Sequence, residues 1–364
     1  MRLSLITAFL ESIAPLALQE DYDNSGLLVG DPGLVVTGVL LCLDCTEKVV
    51  EEAYKRKCNL IIAHHPFIFK GLKRIIGKTY PERILLKAVK NDIAIYAIHT
   101  NLDNVSEGVN KTIADRLGLM NCEILSEKEN TLVKLITFCP LKQSGSLRKA
   151  LFSAGAGHIG NYDSCSFNTV GYGSFRPLLT ANPHVGKKGE EHREKEEKME
   201  MIFPFYLEKS VVAALKANHP YEEVAYDLVP LANNNSKIGA GMIGNFSKPM
   251  EEKTFLKKVK LSLNAKCLRH SEVLGKMIKK VAICGGAGSF LLPAAISSGA
   301  DAFVSADFKY HEFFDAEAKI LIADPGHYES EQFVPDMLRA RLREKFNTFA
   351  ILNSEINTNP IQYF

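Results

Sequence analysis

Two adjacent histidines stand where a short apolar segment of this sequence ends. His64 and His65 follow residues 60–63, whose length and composition predict a buried strand. In α/β proteins, ligands bind beyond the carboxyl ends of such strands. Neighbouring side chains on an extended backbone point to opposite sides, so adjacent histidines suit two metal ions better than one. A pair of histidines standing alone would be explained more simply as surface or packing residues.

Two further clusters of the same chemistry occur elsewhere. The predicted strand 93–98 runs into His99 and, four residues later, Asp103. In the last third of the chain, an aspartate followed by Pro325 predicts the start of a helix. His327 and Glu331 follow with a spacing of four, which places them on one helical face. Both could therefore converge on one centre, and the two oxygens of the glutamate could bridge two ions.

The combination of imidazoles and carboxylates is typical of sites for divalent transition metals. Three clusters at three element junctions are stronger evidence than any one of them. The sequence therefore predicts a pair of divalent metal ions held by His64, His65, Asp103, His327 and Glu331. His99 is either a further ligand or a donor that orients one. Because the set contains no thiolate, zinc, iron, manganese, nickel and cobalt are all compatible with it.

The segments that carry these residues alternate between predicted strands and helices. In a first block, to about residue 125, strands are predicted at 35–43, 59–63 and 93–98, with helices at 46–57, 81–91 and 108–117. In a third block, from about 240, strands are predicted at 278–284, 302–305, 319–323 and 348–352, with helices at 290–298, 311–317 and 328–345. This alternation indicates βαβ units around parallel or mixed sheets. We expect an α/β fold of two pseudo-symmetric halves (1–125 and 240–364) that share one metal cleft.

The middle block, 130–235, has a different order of elements. Strands are predicted at 132–138, 164–172, 198–205 and 224–229, with helices at 147–154 and 210–218. The order βαββαβ is that of a ferredoxin-like domain, inserted here between the two α/β halves. Residues 187–197 are rich in lysine and glutamate without an apolar anchor, which predicts a solvated hairpin or loop.

Bulk properties restrict the class of protein. A chain of 364 residues exceeds what one hydrophobic core usually serves. Its net charge is only +2 with the two signs mixed, so nucleic-acid binding gains little support. Eight scattered cysteines favour a reducing compartment, and we expect a cytoplasmic protein. Cys42 and Cys45 have redox-motif spacing, but the first lies in a predicted buried strand, where cysteine acts as a small apolar residue.

Neither a membrane span nor a secretion signal is predicted. No apolar run approaches the roughly 18 residues that a spanning helix needs. The first ten residues are apolar, but glutamates follow them, and apolar side chains recur at helical spacing. We therefore expect an amphipathic first helix, and the polar tail after residue 353 is expected to lie at the surface.

Several of these segments together resemble the NIF-three-like family, also called the GTP cyclohydrolase I type 2 family. The resemblance covers about 1–125 and 240–364, and block 130–235 is similar to the PII/CutA-like insertion of longer bacterial members. Its matching segments are Asp23-Asn24-Ser25-Gly26-Leu27, His64-His65-Pro66, His99-Thr100-Asn101-Leu102-Asp103, Asp307-Phe308-Lys309-Tyr310-His311 and Gly326-His327-Tyr328-Glu329-Ser330-Glu331, with Ala217-Asn218-His219-Pro220-Tyr221-Glu222 in the insertion.

The resemblance implies more than the residues alone do. It makes His64, His65, Asp103, His327 and Glu331 the ligands of a two-metal site, with Glu331 as the bridge. Of the compatible metals, we expect zinc first. It also implies a toroidal homo-hexamer whose sites face an internal cavity. Tyr22 stands where many members have tryptophan, and since an aromatic ring remains there we interpret it as a packing variant.

Two functions are compatible with such a site. The first is a metal-dependent hydrolase of a nucleotide-type substrate that opens the imidazole ring of GTP, with His99, Lys309 and His311 as candidates for proton transfer or phosphate contact. The glycine-rich segment 285–289 could receive a phosphate or could simply allow close packing. The second is a non-catalytic regulatory or scaffold protein in which the metals hold the two halves together. Open coordination positions would favour the hydrolase, and fully enclosed ions the scaffold.

Overall fold

The computed structural model describes residues 1–364, which divide into two compact units. The first, here called the core unit, comprises Met1–Glu127 and Ser236–Phe364. The second, called the inserted unit, is the intervening segment Lys128–Asn235. Each unit has its own apolar core.

Strands and helices alternate along both segments of the core unit. The first segment contains α1 (Leu3–Ile13), β1 (Gly26–Val29), β2 (Gly38–Asp44), α2 (Glu47–Lys55), β3 (Leu60–His65), α3 (Tyr80–Lys90), β4 (Ala94–Ala97), α4 (Thr100–Asp103), α5 (Val109–Leu117) and β5 (Met120–Glu127). The inserted unit contains β6 (Leu132–Pro140), α6 (Leu141–Ser153), β7 (Phe167–Phe175), β8 (His192–Pro204), α7 (Glu208–Asn218) and β9 (Tyr226–Pro230). The last segment contains β10 (Gly239–Glu251), α8 (Glu252–Ser262), β11 (Arg269–His270), β12 (Met277–Ala287), α9 (Leu292–Ser297), β13 (Ala302–Ala306), β14 (Leu321–Asp324), α10 (His327–Glu331), α11 (Val334–Lys345) and β15 (Ala350–Asn353).

The core unit contains two sheets, each built around parallel strands. One has the order β1-β4-β3-β2-β15, in which all neighbours are parallel except the edge strand β1. The other has the order β11-β14-β13-β12-β10-β5, in which β12, β13 and β14 are parallel and the remaining pairs antiparallel. The expected α/β class is therefore confirmed.

Both sheets are covered on both faces. Successive residues of β2 and β3 alternate between two apolar clusters, as the pleat of a strand requires. Leu41 and Ile62 face the same inner cluster as Ile283 of the second sheet. The outer faces are packed by α2 and α3 on the first sheet and by α9 on the second. Burial on both faces explains why these strands consist of continuous apolar runs.

The inserted unit is an antiparallel sheet with two helices. Its strand order is β7-β8-β6-β9, and its elements follow each other along the chain as βαββαβ. Apolar residues of α6 and α7 pack on one face of the sheet, against alternate residues of β6 and β8 such as Leu135 and Met201. This is the split βαβ arrangement.

The segment 187–197, predicted to be a solvated hairpin or loop, contains the start of β8 at His192, which pairs with β7 as a hairpin, and it departs from the prediction only in the burial of Glu196. From Met199 onward, the apolar residues of β8 face the helices. The residues of β8 before Met199 are all polar or charged, and Glu196 among them is buried. Residues 192–197 carry no apolar side chain on either face, so this part of the strand lacks the alternation of apolar and polar residues by which half-buried strands are recognised.

The predicted helix 328–345 is in fact two helices. The first, α10, ends at Glu331, and α11 begins at Val334 with Pro335 in its first turn, where proline is well tolerated. Residue 324 ends β14 instead of capping a helix, and Gly326, with φ of +100°, precedes α10. The predicted helix 311–317 is a 3₁₀ segment, Tyr310–Ala316.

The amphipathic first helix is confirmed, with Leu3, Ile6 and Leu10 fully buried. No helix in the structure combines the length and the apolar character that crossing a bilayer would require.

Candidate metal centre

The five predicted ligands meet at one edge of the first sheet. His64 and His65 are the last two residues of β3, so the strand includes the histidines that were expected to follow it. Asp103 ends the short helix α4, which directly follows β4 and His99. His327 and Glu331 are the first and last residues of α10, which follows β14 of the second sheet. The centre therefore lies between the two sheets of the core unit.

Two imidazole nitrogens lie close to one oxygen of Glu331, so the three atoms form one group of donors. The Nε2 atoms of His65 and His327 lie 3.0 and 3.1 Å from Oε2 of Glu331, and 3.3 Å from each other. Each atom is thus within contact distance of the other two, and these residues could hold a metal ion.

A second group of donors surrounds the other oxygen. Nε2 of His64 lies 3.7 Å from Oδ1 of Asp103 and 3.9 Å from Oε1 of Glu331. The imidazole of His64 is fully buried, and neither its Nε2 nor the Asp103 Oδ1 has a hydrogen-bond partner. Burying an unsatisfied polar atom costs about 1–3 kcal/mol, so two such atoms facing each other indicate a missing partner.

The spacing of these donors fits divalent metal ions. Bonds of about 2.0–2.2 Å at a tetrahedral centre place the donor atoms about 3.3–3.6 Å apart. The first group is slightly tighter than this range and the second slightly wider. Because Glu331 contributes one oxygen to each group, its carboxylate lies between the two positions.

Each histidine at the centre is oriented by a second contact. The Nδ1 atoms pair at 2.7–2.8 Å with the carbonyl oxygen of Ile98 (His64) and with carboxylates of Asp44 (His65), Asp307 (His327) and Asp23 (His99). An acceptor at Nδ1 places the ring proton there and leaves the Nε2 lone pair free to face the centre. This is the tautomer that a metal ligand needs.

Without a bound metal ion, protonated histidines supply the positive charge at the centre. Burial disfavours a charged His65, but hydrogen bonds to Asp44 and Glu331 outweigh it and raise its pKa to about 9. His327 behaves likewise: burial is outweighed by the charge of Glu331, and its pKa rises to about 11. Burial, together with the charge of Glu331, raises the pKa of Asp103 to about 7. Burial opposes ionisation of Glu331, but the neighbouring histidines keep its pKa well below the usual range.

These pKa values predict that metal binding strengthens as pH rises. Near pH 7 the metal-free His65 and His327 carry protons that a metal ion must displace. Between about pH 6 and 8, affinity should therefore rise by about tenfold per pH unit for each displaced proton. Calorimetric titration with zinc in two buffers of different ionisation enthalpy counts the protons released. Equal affinities at both ends of this range would contradict the prediction.

The three residues predicted to assist catalysis lie in different places. The ring of His99 is 5.3 Å from that of His64 and 5.2 Å from that of His65, so it borders the centre. Lys309 and His311 are exposed on and beside the 3₁₀ segment and do not line the adjoining cavity of the chain.

A cavity of about 970 Å³ opens onto the centre. Its lining includes the metal-centre residues His65, His99, Asp103, His327 and Glu331, together with the aromatic side chains of Tyr22, Phe67, Phe69, Tyr80, Phe290 and Tyr328. No lysine or arginine contributes to this lining.

The glycines of segment 285–289 serve packing. The amide of Gly285 donates to Asn110 Oδ1 and that of Gly286 to Ser330 Oγ, both at 2.9 Å, so neither is free to receive a phosphate. A Cβ on Gly286 would lie 2.5 Å from Oε1 of Glu331. Glycine here allows β12 to approach the metal-centre helix, which favours the packing interpretation.

The carboxyl-terminal tail lines the cavity, whereas the sequence predicted only a surface position for it. Residues 358–361 form part of the wall. Thr358 donates its hydroxyl to Oδ2 of Asp44 at 2.6 Å, and Asn359 donates to Glu329 at 3.1 Å. Because Asp44 also holds His65, the tail is joined to a metal-centre histidine through one carboxylate. A polar tail carries no periodic pattern that would have indicated this.

We predict that Thr358→Val weakens metal binding by up to about tenfold. This is the lower end of the effect seen when a hydrogen bond to a group that orients a metal ligand is lost. The substitution keeps the shape of the side chain but removes the hydroxyl that Asp44 accepts. Competition with a chromogenic chelator measures the affinity. Thr348→Val, at an exposed position, is the matched control and should leave the affinity unchanged. Equal loss in both variants would exclude a specific role for the tail.

Comparison with known proteins identifies the family of the chain. The model of the Duf34/NIF3 (NGG1p interacting factor 3) family matches residues 1–360. A GTP cyclohydrolase 1 type 2 homolog of Halalkalibacterium halodurans is 40% identical over 97% of this chain and 96% of its own, and one of Bacillus subtilis is 38% identical over 98% and 97%. A Bacillus cereus protein related to NIF3 has a solved structure that superposes with a TM-score of 0.87 at 38% identity, covering 100% of this chain and 99% of its own. The chain belongs to the Duf34/NIF3 family.

Proposed function

We propose that this protein is a metal-dependent hydrolase that acts on a nucleotide-type substrate by opening a ring, as the name of its curated relatives suggests. The observation that carries the proposal is the pair of donor groups that share Glu331 beside an open cavity. Each group contains three protein donors, which leaves a coordination position for a water or a substrate, as catalytic sites require.

In this proposal, the ligands are His64, His65, Asp103, His327 and Glu331, with Glu331 shared by two divalent ions. Zinc is the first choice, because a set of nitrogen and oxygen donors at these separations suits its tetrahedral preference. When bound, the ions would supply the Lewis acidity that hydrolysis needs at neutral pH.

His99 is the residue best placed to move a proton. Asp23 accepts its Nδ1–H at 2.7 Å, and the carboxylate is also held by Thr100. Burial opposes ionisation of Asp23, but the hydrogen bond and charge of His99 outweigh it and lower its pKa. The ionised Asp23 fixes the ring, so Nε2 can accept a proton from a reacting group in the cavity and return it.

The remaining lining would position the substrate. Phe69, Tyr80 and Phe290 are about half exposed or more, and their faces are available for stacking on a planar heterocycle. Lys309 and His311 remain candidates for phosphate contact, which they could make only with a substrate that reaches beyond the cavity or with a neighbouring chain.

We propose a homo-hexamer as the assembly, the cytoplasm as the compartment, and a PII/CutA-like role for the inserted unit.

The absence of lysine and arginine from the cavity lining favours a second candidate function. A triphosphate usually meets several cationic side chains, which this wall does not provide. His64 and His65 belong to β3 of the first sheet, whereas His327 and Glu331 belong to α10, which follows β14 of the second sheet. Bound ions would therefore also hold the two sheets together. A non-catalytic regulatory or scaffold protein would need only this joining of the two sheets by metal ions.

Turnover of GTP by the metal-loaded protein distinguishes the two functions. The protein is loaded with zinc, and separately with manganese or iron, and opening of the purine ring is followed by its ultraviolet absorbance. Turnover that is lost in His99→Gln while the metal content stays unchanged would support the hydrolase with His99 in proton transfer. Two bound ions without turnover on GTP or guanosine would favour the regulatory function.

A further inference from the structure

The inserted unit contains a cavity of its own, of about 1100 Å³. The helices α6 and α7 cover one face of its sheet, on which Met199 and Met201 of β8 point inward. Glu196 and Lys198 alternate with these methionines and therefore lie on the opposite face, where they line the cavity. Residues of the loop that joins β7 to β8 close it from the other side.

A buried carboxylate without a cationic partner lies in this cavity. Glu196 is only 7% exposed, and its Oε1 accepts the hydroxyl of Tyr221 at 2.7 Å. It forms no ion pair, whereas the neighbouring Glu197 and Lys198 are paired elsewhere, with Arg148 and Glu200. Burying a charge is costly unless an opposite charge compensates it. The second oxygen, Oε2, faces Gly173, where a Cβ would lie only 2.2 Å away, so glycine leaves it room.

Aromatic side chains line the same cavity as the carboxylate. The cavity is lined by Phe138, Tyr172, Phe175, His184 and Tyr221. The ring of Tyr221, which holds Glu196, lies 6.0 Å from that of Phe175 and 6.1 Å from that of His184. Aromatic faces attract cations, and they also bind the apolar body of a ligand.

The other charged groups of the lining do not neutralise Glu196. Glu222 and Glu223 add negative charge, and Glu222 accepts the backbone N–H of Asn182 in the covering loop. Lys198 is held by Glu200 at 2.6 Å, and Arg176, the remaining lysine or arginine of the lining, forms no ion pair with Glu196. The cavity therefore offers one uncompensated buried carboxylate between aromatic walls.

We propose that this cavity binds a small organic ammonium ion, with its charged nitrogen against Glu196 and its apolar or aromatic body between the aromatic walls. The ligand would supply the positive charge that the fold does not provide. None of the residues that line this cavity belongs to the metal centre, and its chemistry requires no metal.

The test uses phenethylamine as the probe and 2-phenylethanol, which has the same carbon skeleton without the charge, as its control. Binding to the full chain is measured by calorimetry or by ligand-observed NMR. We expect the amine to bind and the alcohol to bind at least about tenfold more weakly, since a hydrogen bond to a charged group contributes about 1.5–3 kcal/mol.

Two variants separate the carboxylate from the fold. Glu196→Gln keeps the size of the side chain and an acceptor for Tyr221, and should weaken amine binding by about tenfold or more. Glu194→Gln, two residues away on the same strand and paired with His192, is the matched control and should bind like the wild type. Unchanged thermal unfolding of Glu196→Gln would show that the fold is intact.

Equal binding of amine and alcohol, or unchanged amine binding by Glu196→Gln, would overturn the proposal. So would the absence of amine binding up to millimolar concentration.

Discussion

Replacing Glu331 with glutamine is expected to empty both metal positions at once. Glu331 gives one oxygen to each donor group: Oε2 lies 3.0 and 3.1 Å from Nε2 of His65 and His327, and Oε1 lies 3.9 Å from Nε2 of His64. Glutamine keeps the shape but loses the negative charge, and its nitrogen cannot bind a metal. Losing a residue that only orients a metal ligand costs about 10–100-fold in metal affinity. Loss of the shared ligand itself should therefore cost more than about 100-fold.

Metal analysis of the purified variant after exposure to zinc measures this effect. Glu329→Gln is the matched control, because Glu329 lies on the same short helix and is equally buried, but bonds to Asn359. We expect the control to keep two ions per chain. The thermal stabilisation that zinc confers on the wild type should disappear in Glu331→Gln, since a ligand stabilises only the state that binds it. A variant that still held two ions would contradict the shared bridge.

Replacing Asp103 with asparagine should remove one ion and leave the other. Asp103 contributes to the group with His64 and has no contact with the pair formed by His65 and His327. Burial raises the pKa of Asp103 to about 7, so a substantial fraction of the metal-free protein already carries a neutral side chain there. Asparagine resembles that neutral form, and we expect the metal-free variant to unfold at nearly the wild-type temperature.

Metal content per chain is again the measurement, with the free energy of unfolding of the metal-free protein beside it. The control is Asp115→Asn, the same change on the exposed face of α5. A change at the neighbouring Asn104 is less suitable, because Asn104 donates hydrogen bonds to Leu18 and Glu20 and Asn104→Asp would disturb the fold. Loss of both ions in Asp103→Asn would mean that the two positions bind cooperatively. Retention of both would exclude Asp103 as a ligand.

The strands and the metal clusters could be predicted because they depend on local pattern. Continuous apolar runs marked β2, β3, β12 and β13, and the histidines stood at or beside the ends of such runs. Parallel strands end at a common edge of the sheet, so residues distant in sequence could be expected to meet there. The predicted helix 46–57 corresponds to α2, and Thr46 caps it by accepting the amide N–H of Val49.

Which carboxylate orients which histidine could not be predicted in the same way. Asp23, Asp44 and Asp307 reach their histidines across 76, 21 and 20 residues of sequence. Such pairs depend on how elements pack, which no spacing along the chain encodes. Asp307 has a backbone φ of +57°, uncommon for aspartate, and this turn at the end of β13 directs it to His327.

The position of the tail affects how this protein should be prepared for study. Ile361 lies in the cavity wall, and Phe364 follows it by three residues. An affinity tag of histidines fused there would begin within about 10–11 Å of the wall, since each extended residue spans at most about 3.3–3.6 Å. Its imidazoles could then compete for the same ions, and a stoichiometry measured on that preparation would count the tag. Fusion at Met1, which is exposed and absent from the cavity lining, avoids this artefact.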